Sequence, residues 1–285
     1  MTDLTTYNPN NLPASIHAGD WESQAKRAAE LEPQQTGQFL SIQGGILTMG
    51  EQAMPGNQVA VIILDSLREN ALYAGKWDAD NPSPPICYAF GRDGDNMQPH
   101  ESMAKFINAS QAAGKPPFFQ PQHFPCQGCW ANEWGSAEQG RGKACQNRRR
   151  LTIIPAGYYT PRPKSRDLDL HMFTEPAHFQ AVDYAFLRLP VTSVGGWAKY
   201  VQQLATNVRR PPHGVVTRLF VEPDPKTQYR VGFEMVEMVP DELAPIVMAR
   251  NGACETMPEK GYEPPDPEAE AKKQQSLGGL RRPGA

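Results

Sequence analysis

Four of the five cysteines in this 285-residue chain stand where metal chelation would need them. Cys126-Gln127-Gly128-Cys129 is a C-x-x-C between Pro125 and Trp130, and Cys145 follows after fifteen intervening residues. A two-residue spacer lets both thiolates face one zinc ion at about 2.3 Å, so the three make most of a structural site. Cys87 is the best candidate for the fourth ligand, with His123 and His100 in reserve. The expected cofactor is one structural Zn2+ per chain at Cys87, Cys126, Cys129 and Cys145, its affinity ordering a stretch poor in apolar residues. A catalytic zinc does not fit. Pro125-Cys126-x-x-Cys129 is half of a nucleobase-deaminase signature, but no His or Cys stands two residues before an upstream Glu. Four thiolates would also leave no open position for water. Neither the carboxylates nor the six histidines form a recognisable catalytic pattern, and no enzymatic activity is expected. Cys254 reads as a free thiol.

The net charge is −3, which on its face argues against a nucleic-acid partner. Its distribution argues otherwise. Residues 140–166 hold eight cations and no acid: Arg141, Lys143, Arg148, Arg149, Arg150, Arg162, Lys164 and Arg166. Tyr158 and Tyr159 lie among them, and Trp130 and Trp134 lie just upstream. Cations that neutralise phosphates, interleaved with rings that stack on unpaired bases, make a strand-tracking surface. These twelve residues are the candidate nucleic-acid contacts. The solvated basic loop is the plainer alternative. From Glu255 to Glu270 there are six acids and one Lys, a segment suited to competing for a basic groove or recruiting partner proteins.

The elements that must position these residues are short and loop-rich, since Pro 28 and Gly 24 together exceed ordinary usage. Residues 1–36 read as an arm with a helix after Asp20, ending at Pro33. Strands are expected over 38–50, with a bulge or sharp bend at Gly44-Gly45, and over 57–67, the two forming an antiparallel pair. A third covers 84–90. Periodicity then disappears from Gly91 to Gly142, a stretch too long for an ordinary loop. Strands resume at 149–155 and 182–190. A helix over 193–206 follows, with Trp197, Tyr200, Val201 and Leu204 on one face. Strands over 213–223 and 227–239, a short helix over 240–250 and a polar tail over 251–285 complete the chain. The strand order suggests a mainly β (α+β) fold, an OB-type Greek-key barrel over 37–250 with a zinc-stabilised insert at about 87–150. A generic α+β sheet fits nearly as well. The N-terminus has no leader pattern and no apolar window of about 18 residues occurs, so a cytoplasmic protein with reduced thiols and no membrane partner is expected.

Three runs carry a family resemblance: PPICYAFGRDGDNMQPHE, CQGCWANEWGS and GKACQNRRRLTIIP. They resemble a pattern of phage-encoded, OB-fold single-stranded DNA-binding proteins with an inserted zinc site, over about residues 38–155. TSVGGWAKYVQQLA and GVVTRLFVEP are similar to the C-terminal half of such proteins more loosely. The resemblance implies that Cys87, Cys126, Cys129 and Cys145 are the ligands and that Asn132, Trp134, Gly135 and Ser136 shape the knuckle. It also implies that Gly142 and Lys143 introduce the last ligand and that Arg149 and Arg150 begin a basic strand. The zinc-bearing binders of T-even phages are a more distant analogy; their His-plus-Cys site and plainly acidic terminus are absent here. The resulting expectation is a coat for unpaired DNA, RNA remaining open, in phage replication or recombination in the host cytoplasm. The alternative is a zinc-stabilised phage protein that binds host transcription or replication machinery.

Overall fold

The run VAVIIL (59–64) is apolar without alternation, which marks a strand covered on both faces. In the computed structural model it lies in β4 (Gln58–Leu72), the centre of a mixed sheet. The structure describes residues 38–50, 52–75, 83–94, 96–138, 142–225, 227–257, 259 and 261–265. The expected arm and its helix lie outside them. Before β4 come β1 (Gln38–Gln43), β2 (Ile46–Met49) and β3 (Gln52–Ala53). After it come β5 (Cys87–Gly91), β6 (Gln146–Pro161), β7 (Leu168–Met172), β8 (Ala185–Leu189), β9 (Val215–Asp224) and β10 (Gln228–Met238). The helices are α1 (Ser102–Ala112), α2 (Pro176–Ala181), α3 (Val191–Gln203) and α4 (Ala244–Thr256).

The sheet order is β10-β9-β4-β6-β8-β1-β2-β3, with β5 on β4 and β7 on β6. The fold is mainly β with a few helices, as expected, but the sheet is open. Its outer strands do not pair among the described residues, so the Greek-key closure of an OB-type barrel is not seen. The first two sequence runs do not pair with each other either. Gly44 and Gly45 both adopt positive φ (59 and 81) and turn β1 directly into β2, making a hairpin out of residues read as one bent strand. β4 instead pairs antiparallel with β6, β9 and β5.

Cross-strand partners share a face of a sheet, and the register sorts the core into two faces. The front face carries Val59, Val61, Ile63, Leu151, Ile153, Leu187 and Leu189, covered by Trp197 and Tyr200 of α3. The back face carries Ala60, Ile62, Leu64 and Ile154, covered by Phe179 of α2 and Val247 and Cys254 of α4. Cys254 is a free thiol, as expected, and buried.

The stretch after β5 wraps the sheet around that edge strand. On the back it forms α1, whose Met103, Phe106 and Ile107 pack on Tyr88, Phe90 and Phe119. On the front it forms a knuckle in which Cys129, Ala131, Ala144 and Cys145 pack on Leu72 and Cys87. The helix was missed, although Met103, Phe106 and Ile107 have i, i+3, i+4 spacing and Gly114 follows as a stop. α4 runs to Thr256, into the segment expected to be tail. No described helix is long and apolar enough to cross a membrane.

Candidate nucleic-acid interface

The four predicted ligands come to one place. Cys87, Cys126, Cys129 and Cys145 line a single small cavity with Asn70, Leu72 and Ala131. Nevertheless, among the described residues no group of three or more His, Cys, Asp or Glu is arranged to hold a metal ion. The expected zinc site is therefore corrected to four free cysteines that line one cavity. Three of them are engaged separately. Cys87 bonds the backbone at Gln122, Cys145 the backbone at Ala71, and Cys126 the side chain of Asn70. Burial, with the neighbouring thiols adding to it, pushes Cys87 up to about 11 and Cys145 up to about 12. C-x-x-C spacing brings thiols to one cavity, but their partners and depth decide whether they are thiolates.

The knuckle is ordered by hydrogen bonds. Ser136 Oγ donates to the Glu133 carbonyl at 2.7 Å and accepts from the Ala144 N–H at 3.0 Å. Gly135, at φ 89, donates its N–H to the Gly142 carbonyl at 2.9 Å. Lys143 Nζ donates to Asn132 Oδ1 at 3.1 Å. Asn132, Gly135 and Ser136 thus shape the turn. Trp134 does not: it is 79% exposed, Trp130 is 52% exposed and Phe124 is 63% exposed. Phe124 was not anticipated, because a ring between His123 and Pro125 carries no periodicity that sets it apart from core.

The consecutive arginines of β6 are divided by strand alternation. Arg148 and Arg150 share the back face with Glu69, while Arg149 is on the front. Arg148 donates to the Tyr73 hydroxyl at 3.2 Å and to Gln146. Arg150 Nε donates to Glu69 Oε2 at 2.6 Å, and Arg188 Nε lies 3.4 Å from the same oxygen. The Glu69 side chain is 0% exposed, and Tyr262 also donates its hydroxyl to it. Burial opposes ionisation of Glu69, but Arg150 and Arg188 prevail and hold its carboxyl below the usual range. Arg150 also lies 4.1 Å from the Phe90 ring centre and 5.3 Å from that of Tyr262. Its charge is spent inside the protein, so Arg150 is corrected from a phosphate contact to a structural ion pair.

Arg149 has different company. Its partner across β4 is Arg68, whose other neighbour is Gly91, and its partner across β8 is Leu189. Among the described residues neither guanidinium lies within 4.0 Å of a carboxylate. Burial and then the Arg68 charge hold the Arg149 guanidinium below its usual value. The next row on this face is Asn147 with Asn70, joined by a 2.6 Å hydrogen bond, and beyond it lies the thiol cavity. Arg68 was missed because it stands as a single cation between Asp65 and Glu69, outside any basic run.

The rest of the basic stretch lies elsewhere. From Arg149 to Pro161 is about 40 Å of strand, so the cations at its far end form a separate site. There Arg162 Nε donates to Asp169 Oδ1 at 3.0 Å, while Lys164 and Arg166 are exposed. Tyr158 is 49% exposed and stacks on His171 with centroids 5.1 Å apart. Tyr159 is buried with the back core and is corrected to a packing residue. Arg141 lies outside the described residues. No family model, curated protein or solved structure matches this chain. Its likeness to phage single-strand binders rests on the motifs alone.

Proposed function

We propose that this protein binds single-stranded DNA without catalysis, as a phage replication or recombination factor in the host cytoplasm. The observation that carries the reading is the exposure of Phe124, Trp130 and Trp134 on one knuckle. The remaining aromatic residues of the same excursion, Phe106, Phe118 and Phe119, pack in the core around Tyr88. Rings left in water beside a strand bearing Arg149 suit stacking on unpaired bases, with sequence tolerance because every base has a π-face. In this reading a face of the open sheet takes the part that the groove of an OB-type barrel plays in the proteins it resembles. The acidic segment 255–270 would serve recruitment of replication or recombination proteins.

The test compares binding of an oligo-dT strand, the same length of RNA and a duplex at low salt. Strong preference for the DNA strand is expected. Preference for duplex, or no binding at about 50 mM salt where phosphate contacts are strongest, would reject the reading. Preference for RNA would move the same site to another substrate.

A further inference from the structure

Like charges directly opposite one another across an antiparallel pair are destabilising, yet Arg68 and Arg149 face each other in register where the front core ends. Arg68 is exposed and Arg149 half-buried. An added Cβ on Gly94 would come within 1.8 Å of Arg68 Nη1, so this guanidinium lies directly against the loop backbone. Arg149 is half-buried beside Leu189, where the front core ends. Along the strand, the front core at Leu151 and the thiol cavity at Cys145 are about 20 Å apart. The residues between them on this face are Arg149 and Asn147, with Arg68 and Asn70 opposite. The result is a polar seam between two apolar clusters, with its cations in the middle and the exposed rings of the knuckle at one end.

We infer that Arg68 and Arg149 together form a phosphate subsite, and that a bound strand crosses the front face along this seam with one phosphodiester held between the two guanidiniums. Guanidiniums present paired N–H donors that match phosphate oxygens. An anion between them converts a repulsion into two charge-assisted contacts. This assignment deepens the proposed function and rests on it for the identity of the ligand. It also separates Arg149 from Arg148 and Arg150, which point to the other face.

Two measurements on the full chain decide it, using Arg68→Gln, Arg149→Gln and the double variant. In the first, oligo-dT affinity is followed across a salt titration. Loss of one phosphate contact should reduce the slope of log K against log salt by about 0.7, with the single variants giving most of the effect. The second is the melting temperature in inorganic phosphate against chloride at equal ionic strength. Phosphate should raise the Tm of the natural protein and not that of the double variant, which should itself melt higher in chloride because the repulsion is gone. Arg68→Lys/Arg149→Lys keeps the charge and serves as the folding control, with intermediate behaviour expected. An unchanged slope overturns the strand assignment. If phosphate still stabilises the natural protein alone, the pair binds a free anion instead; if it does not, no anion site exists. If the natural protein binds no strand at all, the proposed function fails, and the Tm comparison still decides whether the arginines hold phosphate.

Discussion

Arg149 and Arg150 are adjacent in sequence and opposite in circumstance. On the back face Arg150 meets a fully buried Glu69, with Arg188, Phe90 and Tyr262 closing around the pair. On the front face Arg149 meets Arg68 and, among the described residues, no carboxylate within ion-pairing distance. One cation is neutralised, desolvated and stacked; the other is left with its charge uncompensated at a surface. A buried charge is retained only with its partner, because removing either leaves an uncompensated ion inside the protein. A repeated like charge, by contrast, costs some stability and keeps its field for something outside. Three arginines in a row are therefore two kinds of residue, and a run of positive charge in a strand is not one surface.

The comparison breaks most visibly at Arg150. Replacing it with Ala should cost about 3 kcal/mol by leaving the buried Glu69 with only the more distant Arg188, a fall in Tm on the order of 10 °C. Arg149→Gln should move Tm slightly upward instead. Equal losses at the two positions in thermal melts would erase the distinction between the faces. The knuckle rings come next. Trp130→Ala and Trp134→Ala should each weaken oligo-dT binding by about 1–3 kcal/mol if the ring stacks on a base. They should leave Tm almost unchanged, because neither ring is core. A large Tm loss with intact binding would assign them to packing.

The smallest effect concerns acid. Glu69 is held below its usual carboxylate range in the folded protein, so it contributes stability above its unfolded pKa of about 4.3. That contribution is lost as pH falls through the folded value. Denaturant titrations from pH 7 to pH 3 should show the natural protein losing stability over that acid window. Glu69→Gln should be less stable at pH 7 and flatter below about pH 4.5. Parallel curves for the two proteins would remove Glu69 from the acid response.

Much of the architecture was legible from residue patterns. The strand expected over 57–67 lies within β4, and those expected over 213–223 and 227–239 are β9 and β10. Trp197 and Tyr200 were expected on one apolar helix face, and they cover the front core. The cysteine pattern was read as a zinc site; Cys87, Cys126, Cys129 and Cys145 do line one cavity, but among the described residues they are not arranged to hold a metal. Their state was not legible, because whether a thiol ionises depends on its burial and on the backbone groups that reach it. The basic stretch was legible as composition and misleading as a surface. Alternation along β6 sends Arg148 and Arg150 one way and Arg149 the other, and the length of the strand carries Arg162, Lys164 and Arg166 far off.

By itself the sequence determined what is local: apolar runs, a break at Gly44-Gly45, the helix face of α3 and the kinds of chemistry available between Cys87 and Arg166. Tertiary structure alone decided the partners. Glu69 and Arg150 are 81 residues apart, and Tyr262 lies 193 residues from the carboxylate it bonds. No spacing rule links such positions, because the register of β4 against β6 is set by burial of whole faces. The same register put Arg68 opposite Arg149. It also made the sheet open, since pairing β4 with β6 and β9 leaves β10 and β3 at opposite ends of the sheet order. Local pattern chose the elements; burial and strand register chose which of their charges remain available to a ligand.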